Sequence, residues 1–141
     1  MNIEVRTIVM GKKSWANEIV SSLERKISFF QKIEFKQYKE KATLLKNIDN
    51  KDFVIVCDER GESPKSRVFA EKFQKVLDSG KQKVVFIVGG PFGVDPIVKE
   101  RANMTLSLSH FVFNQELACV VLFEQIFRAL SIIENHPYHN D

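Results

Sequence analysis

The sequence predicts a single α/β domain in which helices cover both faces of a doubly wound, mostly parallel sheet. Apolar runs of strand length alternate along the chain with segments of helical periodicity, a pattern typical of this fold class. Two of the runs, residues 53–57 and 84–88, are apolar without interruption, and strands of this kind are buried on both faces. With 141 residues, the whole chain, 1–141, is expected to form one domain with one core.

The first half of the chain is predicted to contain three strands and one long helix. The first strand covers residues 3–10, and the helix runs from its expected cap, Ser14, to about Ser28. A second strand, residues 33–38, alternates apolar and polar side chains and is expected to have one solvated face. Residues 40–48 are expected to form a short helix or an irregular crossover. The predicted buried stripe of the helix has a spacing of four residues: Trp15, Ile19, Leu23 and Ile27.

The second half of the chain is predicted to alternate helices and strands. Ser63 and Pro64 form a favourable helix start, and Gly80 is a favourable stop. The expected buried face of this helix contains Val68, Phe69, Phe73, Val76 and Leu77. Beyond the strand at 84–88, the sequence predicts a short helix at 94–101, a strand or extended loop at 104–113, and a long helix at 116–134.

The last predicted helix is apolar on nearly every side. Such a helix must be buried all round, and a terminal helix in a chain of this length is expected to need a second subunit for that. We therefore expect a homodimer built partly on this helix. Its polar residues include Glu124 and Arg128, whose i,i+4 spacing is typical of a structural ion pair.

Composition and charge limit the classes of function that are expected for this chain. No segment reaches the roughly 18 apolar residues of a membrane span, and the N-terminus has neither a basic leader nor a cleavage site. Cys57 and Cys119 lie in apolar surroundings, far apart in the sequence, so a reduced, cytoplasmic setting is expected. A net charge of +3 permits a polyanionic partner. Lysine clusters such as Lys12 and Lys13 are predicted to form a solvated face or a polyanion contact.

The stretch KVVFIVGGPFGVDP, residues 83–96, raises the main question about function, because a buried strand ends there in bare glycine backbone. One interpretation is a tight turn, and the other is a loop on which a ligand lies directly against the main chain. Ligands of open parallel sheets lie beyond the carboxyl ends of the strands, here residues 57–58, 89–93 and 109–114. The loop is neither a dinucleotide fingerprint nor a phosphate loop. No nucleophile motif is present, which disfavours hydrolase chemistry.

The C-terminal segment NHPYHND contains His136, Tyr138 and His139. A disordered terminus is the simpler interpretation, but these side chains are suited to base recognition or to proton handling. No cysteine or carboxylate has a spacing that would complete a metal site, so no metal is expected.

Four segments follow one another in an order that is specific: FIVGGPFGV, LSLS, EQIFRA and NHPYH. In this order they resemble the bacterial large-subunit ribosomal RNA methyltransferases of the SPOUT superfamily, the RlmH family. The resemblance covers essentially the whole chain and is densest from Phe86 to His139. It implies a parallel-sheet SPOUT methyltransferase fold with a C-terminal trefoil knot, a homodimer, and S-adenosyl-L-methionine as cofactor. The implied reaction is methylation of N3 of a pseudouridine in ribosomal RNA.

The resemblance also assigns roles to residues of this chain. His139 is the expected catalytic residue, as acceptor of the N3 proton or as a group that orients the base, with Tyr138 as a stacking or hydrogen-bonding partner. Lys12, Lys13 and Arg128 are the expected phosphate contacts to the RNA. The implied cofactor contacts follow the three strand ends: Cys57, Asp58, Gly89, Gly90, Ser109, His110, Phe111, Val112, Phe113 and Asn114.

This chain departs from the family pattern near its last helix. Members usually carry Pro-His at the entry to this helix and Arg four residues after that His, where this chain has Asn114, Gln115 and Cys119. The residue after the final His is usually Lys or Arg, and here it is Asn140. The replaced groups are expected to face RNA or the reacting base. Their loss motivates an alternative, a catalytically weakened or inactive dimer that binds cofactor or RNA. A flavodoxin-like nucleotide binder is disfavoured because it needs a phosphate-binding loop.

Overall fold

The computed structural model describes residues 1–141 and contains one five-stranded sheet with helices on both faces. All neighbouring strands are parallel, in the order β2-β1-β4-β3-β5 as defined below, which confirms the predicted α/β class. The strands are β1 (Asn2–Ile8), β2 (Lys32–Tyr38), β3 (Phe53–Glu62), β4 (Lys83–Val88) and β5 (Met104–Leu106). The helices are α1 (Ala16–Ile27), α2 (Ser66–Leu77), α3 (Pro96–Arg101) and α4 (Gln115–Ile133), with a 3₁₀ turn at Lys41–Thr43.

The central strand β4 explains why residues 84–88 are apolar without interruption. β4 lies between β1 and β3, and all five of these residues are buried. One face of the sheet packs against α1, α2 and α4 in the larger core. The other face packs against the 3₁₀ turn and α3 through a smaller cluster that includes Leu44 and Val98. The three long helices therefore lie on one side of the sheet.

The buried face of α1 differs from the predicted stripe. Trp15 is 51% exposed and Ile19 is 42% exposed, so half of that stripe faces solvent. The buried residues are instead Ala16, Val20 and Ile27, with Leu23 partly buried against the same core. Their spacings of four, three and four residues follow the helical repeat. A constant spacing of four drifts around the helix by about 40° per step.

Some predicted boundaries in the second half of the chain are wrong. β3 continues to Glu62, and α2 consequently begins at Ser66 rather than at Ser63 and Pro64. Glu62 pairs with β5 beyond a bulge, and this pairing extends the strand past its apolar run. Val68, predicted to be buried on α2, is 41% exposed. β5 is short, and residues 107–113 form a loop.

The long helix α4 obtains much of its cover from within the chain. It packs against both α1 and α2, although Leu117 in its first turn remains 38% exposed. No helix of the fold, α4 included, combines the length and apolarity needed to cross a membrane. Eight residues of α4 are buried: Cys119, Leu122, Phe123, Ile126, Phe127, Ala129, Leu130 and Ser131. Neighbouring helices thus provide the cover that we expected from a second subunit, and the homodimer stays a prediction.

The C-terminal trefoil knot also stays a prediction. From the central strand β4 the chain passes through α3 to the edge strand β5. It then returns through α4 to the face of the sheet that carries α1 and α2. This path is compatible with a knot in the C-terminal part of the chain.

A buried ion pair on β1 connects the sheet to the crossover that follows β2. Arg6 is 1% exposed, and its Nε donates to Glu4 Oε1 at 2.9 Å. Its Nη1 donates to the carbonyl oxygens of Leu44 and Lys46 at 3.0 and 2.6 Å. The guanidinium therefore holds the segment after the 3₁₀ turn against the smaller core.

The pKa of Glu4 depends on this pairing. Burial raises the pKa of Glu4, but the hydrogen bond and charge of Arg6, with Lys83 and Lys36, outweigh burial and hold the pKa below its usual value. A carboxyl group with a lowered folded-state pKa stabilises the fold above its unfolded-state pKa. That contribution is lost as the pH falls through the folded-state pKa, so the pair is expected to weaken in acid.

Replacing Glu4 by Leu is expected to lower the free energy of unfolding by about 3 kcal/mol, because the buried Arg6 guanidinium loses its counter-charge. Glu62→Leu is the matched control, since Glu62 pairs with Lys72 at 2.7 Å but its side chain is 56% exposed. An exposed pair of this kind contributes less than about 1 kcal/mol. Urea unfolding followed by circular dichroism measures both variants, and equal losses would contradict the role of the buried pair.

Candidate functional site

A cleft of about 240 Å³ opens at the edge of the sheet where the parallel strands end. Its walls are the ends of β3 and β4, the loop between β5 and α4, and the start of α4. Eight of the ten predicted cofactor residues line it, and His110 and Asn114 do not. The lining consists of Cys57, Asp58, Glu59, Val88, Gly89, Gly90, Pro91, Gly93, Val94, Leu108, Ser109, Phe111, Val112, Phe113, Gln115 and Ala118.

The β3 side of the cleft is formed by a bulge at residues 58–61. Cys57 and Glu62 both pair with the same residue of β5, so the residues between them leave the regular ladder. Gly61 is required in this bulge, because a Cβ atom there would lie 2.6 Å from the backbone of β5. The bulge brings Asp58 to the mouth of the cleft.

The Asp58 carboxylate is ionised and pairs with two cationic side chains. It accepts hydrogen bonds from the backbone N, Nε and Nη2 of Arg60 at 2.9, 3.2 and 3.2 Å, and Lys99 Nζ lies 3.0 Å away. The hydrogen bonds from Arg60, with those of Lys99, hold the pKa of Asp58 far below its usual range although burial opposes this. Asp58 therefore places two positive side chains at the rim and presents little free negative charge.

Both cysteines near the cleft are protonated thiols. Burial raises the pKa of the Cys57 thiol far above its usual value, and it raises the pKa of Cys119 to about 12. Because the thiolate is the nucleophilic form, neither side chain is activated for attack. Cys119 is fully buried, so this side chain does not take the place of the missing cation at the surface.

The glycine turn, residues 89–93, packs so tightly that it excludes a side chain at Gly89. A Cβ atom on Gly89 would lie 2.7 Å from the carbonyl carbon of Gly93. Gly93 N donates to Gly90 O at 3.0 Å, and Gly93 has a φ of 82°, which favours glycine. The turn therefore requires bare backbone by itself. Because it also exposes this backbone to the cleft, the two interpretations of this stretch are compatible.

The loop between β5 and α4 forms the opposite wall. Ser107 Oγ donates to the carbonyl oxygen of Ser109 at 2.9 Å, and Ser109 Oγ accepts from Phe111 N at 3.0 Å. These local bonds hold the loop in a turn. Phe111 and Val112 remain 81% and 77% exposed and form an apolar rim.

Gln115 holds the start of α4 on the sheet, a role that no sequence motif predicted. Its Nε2 donates to Thr7 Oγ1 at 3.0 Å and to Ile8 O at 2.6 Å. Thr7 Oγ1 donates in turn to Val88 O at 2.7 Å. Asn114 caps the helix, because its Oδ1 accepts from the backbone N–H three residues later at 2.8 Å. The position at which the family carries an imidazole is thus occupied by an amide with partners inside the fold.

The C-terminal residues fold back on α4 and have a defined arrangement, so the interpretation of a disordered terminus is wrong. Tyr138 Oη donates to Glu124 Oε1 at 3.0 Å. Arg128 donates to the same carboxylate at 2.9 and 2.6 Å, and its Nη1 lies 2.9 Å from His139 Nδ1. His139 Nε2 lies 2.8 Å from Asp141 Oδ1. The predicted catalytic residues therefore belong to one charged network.

The partners of His139 determine which nitrogen carries its proton. Arginine is a donor only, so Nδ1 must accept from Arg128, and the proton lies on Nε2 and is donated to Asp141. Hydrogen bonds from Arg67 and His139 lower the pKa of Asp141 to about 2, so this acceptor is ionised. The imidazole consequently presents a donor and has no free lone pair.

The structure does not bring the tail and the cleft together within one chain. Ala118 lines the cleft, whereas Arg128, which binds the tail, lies about 15 Å further along α4 at a rise of about 1.5 Å per residue. His139 and Tyr138 are therefore remote from the predicted cofactor residues of their own chain.

The three predicted RNA contacts have different surroundings. Lys12 and Lys13 follow β1 at the same sheet edge as the cleft and are exposed. Lys12 lines a separate hollow together with Val9. Arg128 is engaged with Glu124 and the tail. The two lysines are therefore available to a polyanion, whereas Arg128 is committed to internal contacts.

A family model described as "Predicted SPOUT methyltransferase" matches residues 1–139. The chain belongs to the SPOUT methyltransferase family. It is 36% identical to the ribosomal RNA large subunit methyltransferase H of Bdellovibrio bacteriovorus and 38% identical to the protein of that name from Dictyoglomus thermophilum. Both likenesses cover 99% of this chain and 99% of the relative. They confirm the resemblance to the RlmH family.

Two solved structures share the fold of this chain. A probable methylase family protein from Haemophilus influenzae Rd KW20 has a TM-score of 0.59 at 11% identity, over 99% of this chain and 70% of that protein. A probable methyltransferase from Bordetella pertussis Tohama I has a TM-score of 0.54 at 12% identity, over 92% and 95%. The fold prediction is confirmed, and membership of the family implies a methyl donor as cofactor.

Replacing Gly89 by Ala is expected to lower the free energy of unfolding by about 1–3 kcal/mol, because the added Cβ meets backbone that has no room to move. Gly90→Ala is the matched control, since its Cβ would lie 3.3 Å from the Ile8 side chain rather than 2.7 Å from backbone. This control is expected to lose less than about 1 kcal/mol. Chemical denaturation compares the two, and a Gly89→Ala variant as stable as the wild type would refute the packing requirement.

Proposed function

We propose that this chain is an S-adenosyl-L-methionine-dependent methyltransferase that modifies N3 of a pseudouridine in large-subunit ribosomal RNA. The observation that carries the proposal is the cleft, where eight residues that the RlmH resemblance assigns to the cofactor come together. Relatives named ribosomal RNA large subunit methyltransferase H support it, at 36% to 38% identity over 99% of the chain. The enzyme is proposed to act in the cytoplasm on the ribosome or its RNA.

The lining of the cleft suits S-adenosyl-L-methionine. Half of the sixteen lining residues are hydrophobic, which fits the adenine ring and the carbon chain of the cofactor. The glycine turn and the loop around Ser109 offer backbone amides and carbonyls for its polar groups. When bound, this cofactor supplies a methyl group that its sulfonium already activates, so the main task of the protein is to position the two reactants.

The methyl group is proposed to pass directly to the base. Cys57, the only thiol that lines the cleft, is protonated. Ser109 has the only hydroxyl of the lining; its Oγ accepts from Phe111 N and has no hydrogen bond to a histidine or carboxylate. The cleft thus offers no activated thiol or hydroxyl for a covalent intermediate. The N3–carbon bond forms as the sulfur–carbon bond breaks, and the N3 proton leaves to solvent water.

The active form is proposed to be a homodimer in which the tail of one protomer serves the cleft of its partner. Within one chain, Arg128, which binds the tail, lies about 15 Å along α4 from Ala118 in the cleft, and a second copy is proposed to complete the site. An apolar surface at the starts of α1 and α4 is suited to this contact, and it contains Trp15, Ile19 and Leu117. Ser14 and Glu116 join these two helix starts by a hydrogen bond.

His139 is proposed to orient the target base rather than to take its proton. Its Nδ1 accepts from Arg128, so Nε2–H is the group that the ring offers. A donor suits the carbonyl oxygens that flank N3 of pseudouridine, whereas proton removal needs a free lone pair. The exposed carboxylate of Asp141 is the acceptor that the base would replace. Tyr138, which contacts the Phe127 ring at 4.6 Å between centroids, would lie beside the base.

A catalytically inactive binding module is not favoured. Its motivation was the loss of the family's imidazole and cation at Gln115 and Cys119. Gln115 is bonded to Thr7 and Ile8, and Cys119 is buried in the core. Neither replacement leaves a buried polar side-chain atom of the cleft without a partner.

The proposed reaction is tested by methyl transfer to ribosomal RNA from cells that lack the gene. Purified protein and radiolabelled S-adenosyl-L-methionine are expected to label large-subunit RNA from the deletion strain. RNA from the parent strain is the control, since its target is already methylated. Nuclease digestion and mass spectrometry should locate the label on one pseudouridine. Cofactor binding by calorimetry without any transfer would identify the inactive module instead.

His139→Gln is expected to keep more activity than His139→Ala, because the glutamine amide retains a donor. Loss of orientation in the alanine variant is expected to lower the single-turnover rate by up to about 100-fold. The dependence of the rate on pH should keep its shape in the glutamine variant. Equal losses in both variants, with a changed pH profile, would show that His139 is the proton acceptor.

Subunit mixing tests whether the tail of one protomer completes the cleft of its partner. Ala118→Trp is expected to fill the cleft and abolish cofactor binding, whereas His139→Ala leaves the cleft intact. Coexpression of the two variants produces heterodimers in which one cleft and one tail are both wild type, so activity should return. Failure to recover activity in verified heterodimers would contradict the exchange of tails.

A further inference from the structure

Phe92 is the most exposed aromatic residue at the carboxyl edge of the sheet. The residue is 88% exposed and lies at the tip of the glycine turn. Pro91 and Gly93, on either side of it, line the cleft, whereas Phe92 itself is not part of the lining. The tight packing of Gly89 against Gly93 gives the turn a defined shape, so the ring has a defined position at the rim.

A cation lies over the ring of Phe92. Lys41 Nζ is 5.7 Å from the ring centroid, within the range of a cation–π contact. Asp95 holds this lysine at 3.5 Å. The contact joins the end of β4 to the crossover after β2, across the end of β1. The ring thus combines an exposed π-surface with an adjacent positive charge.

Further cations surround this position because all the strands end at the same edge. β4 is central, so cations that follow β1 and β2 lie on one side of Phe92, and those beside β3 lie on the other. Asp58 and Asp95 pair with three of these cations, and the exposed Glu40 and Glu59 also lie at this edge, so the cations outnumber the carboxylates by six to four. The cations at this edge are Lys12, Lys13, Lys39, Lys41, Arg60 and Lys99.

We infer that Phe92 is a stacking platform for an unpaired RNA base, which positions the strand beside the target nucleotide at the mouth of the cleft. The inference rests on the proposed function, since it takes RNA as the substrate. Recognition of single-stranded RNA depends on bases stacked on aromatic side chains, while basic residues track the phosphates. The combination of an exposed ring with flanking cations matches both requirements.

A second copy of this chain is the competing occupant of this surface. In an isologous contact the same patch faces itself, so Lys41 and its neighbouring cations would be brought against one another. Charge therefore favours a polyanion over a second protomer at the turn. The surface at Trp15, Ile19 and Leu117 offers three exposed hydrophobic side chains and is the better dimer contact.

Tryptophan fluorescence tests the stacking directly. Trp15 is the only tryptophan, so Trp15→Phe, which keeps an aromatic ring, provides a silent background. In it, Phe92→Trp is the reporter and Phe29→Trp is the matched control, because Phe29 is also 88% exposed. Phe29 lies between α1 and β2, at the opposite edge of the sheet. A short oligouridylate is expected to quench the reporter saturably and to leave the control unchanged.

Heparin, a polyanion without bases, separates stacking from charge. It is expected to compete with the oligouridylate without quenching the Phe92→Trp reporter. Quenching by heparin, or equal quenching of the Phe29→Trp control by the oligouridylate, would overturn the inference. Absence of any binding of oligouridylate to the wild-type protein would overturn it as well.

Binding and kinetics give the second measurement. Phe92→Ala is expected to weaken oligouridylate binding by about 5- to 100-fold and to raise KM for ribosomal RNA, with cofactor affinity unchanged. Phe92→Tyr should keep the wild-type affinity, and Phe92→Leu should not, since it is apolar but offers no ring. Unchanged RNA affinity in Phe92→Ala would overturn the inference. A sedimentation experiment in which this substitution converts a dimer of the protein to a monomer would overturn it as well. If the oligouridylate quenches the Phe92→Trp reporter but the wild-type protein transfers no methyl group to ribosomal RNA, the stacking inference holds and only the proposed reaction is refuted.

Discussion

All five strands of the sheet point in the same direction, and the position of every candidate functional group depends on this constraint. Parallel strands end at one edge, so residues 57–58, 89–93 and 107–113 meet there although they are distant in sequence. The same edge receives Lys12 after β1 and Lys41 after β2. β4 is central and buried on both faces, which places the glycine turn in the middle of the cleft. The cleft and its cations therefore follow from strand direction and order.

Helix α4 sets the distance between the cleft and the C-terminal tail. Gln115 holds the start of the helix on the ends of β1 and β4, and Arg128 and Glu124 hold the tail further along. Because a packed helix is rigid, the separation of about 20 Å between Gln115 and Arg128 is set by its rise per residue. A tail bound in this way stays away from the cleft of its own chain. The proposal of a shared active site in a homodimer follows from this separation.

The glycine turn shows that a packing requirement and a binding role can belong to the same residues. A Cβ on Gly89 would meet the backbone of Gly93, Gly93 has a positive φ, and the backbone that these glycines leave bare is the backbone that faces the cleft. Phe92 is carried on this rigid turn, with Lys41 over its ring. A flexible loop would lose conformational entropy on binding a ligand. A turn that is already held by its own packing avoids much of that loss.

The sequence by itself determined the α/β class, the place of the cleft and the family. Uninterrupted apolar runs, bare glycine at a strand end and the ordered segments from residue 86 to residue 139 are properties of residue type and order, which a chain carries before it folds. Only the tertiary structure decided that Val20 rather than Ile19 is buried, that Cys119 lies inside the core, and that the proton of His139 is on Nε2. Each of these depends on which partner a side chain meets across the fold: the core beneath α1 for Val20, and the Arg128 donor for His139. Local pattern encodes how a segment folds, whereas burial and protonation are set by neighbours that are distant in sequence.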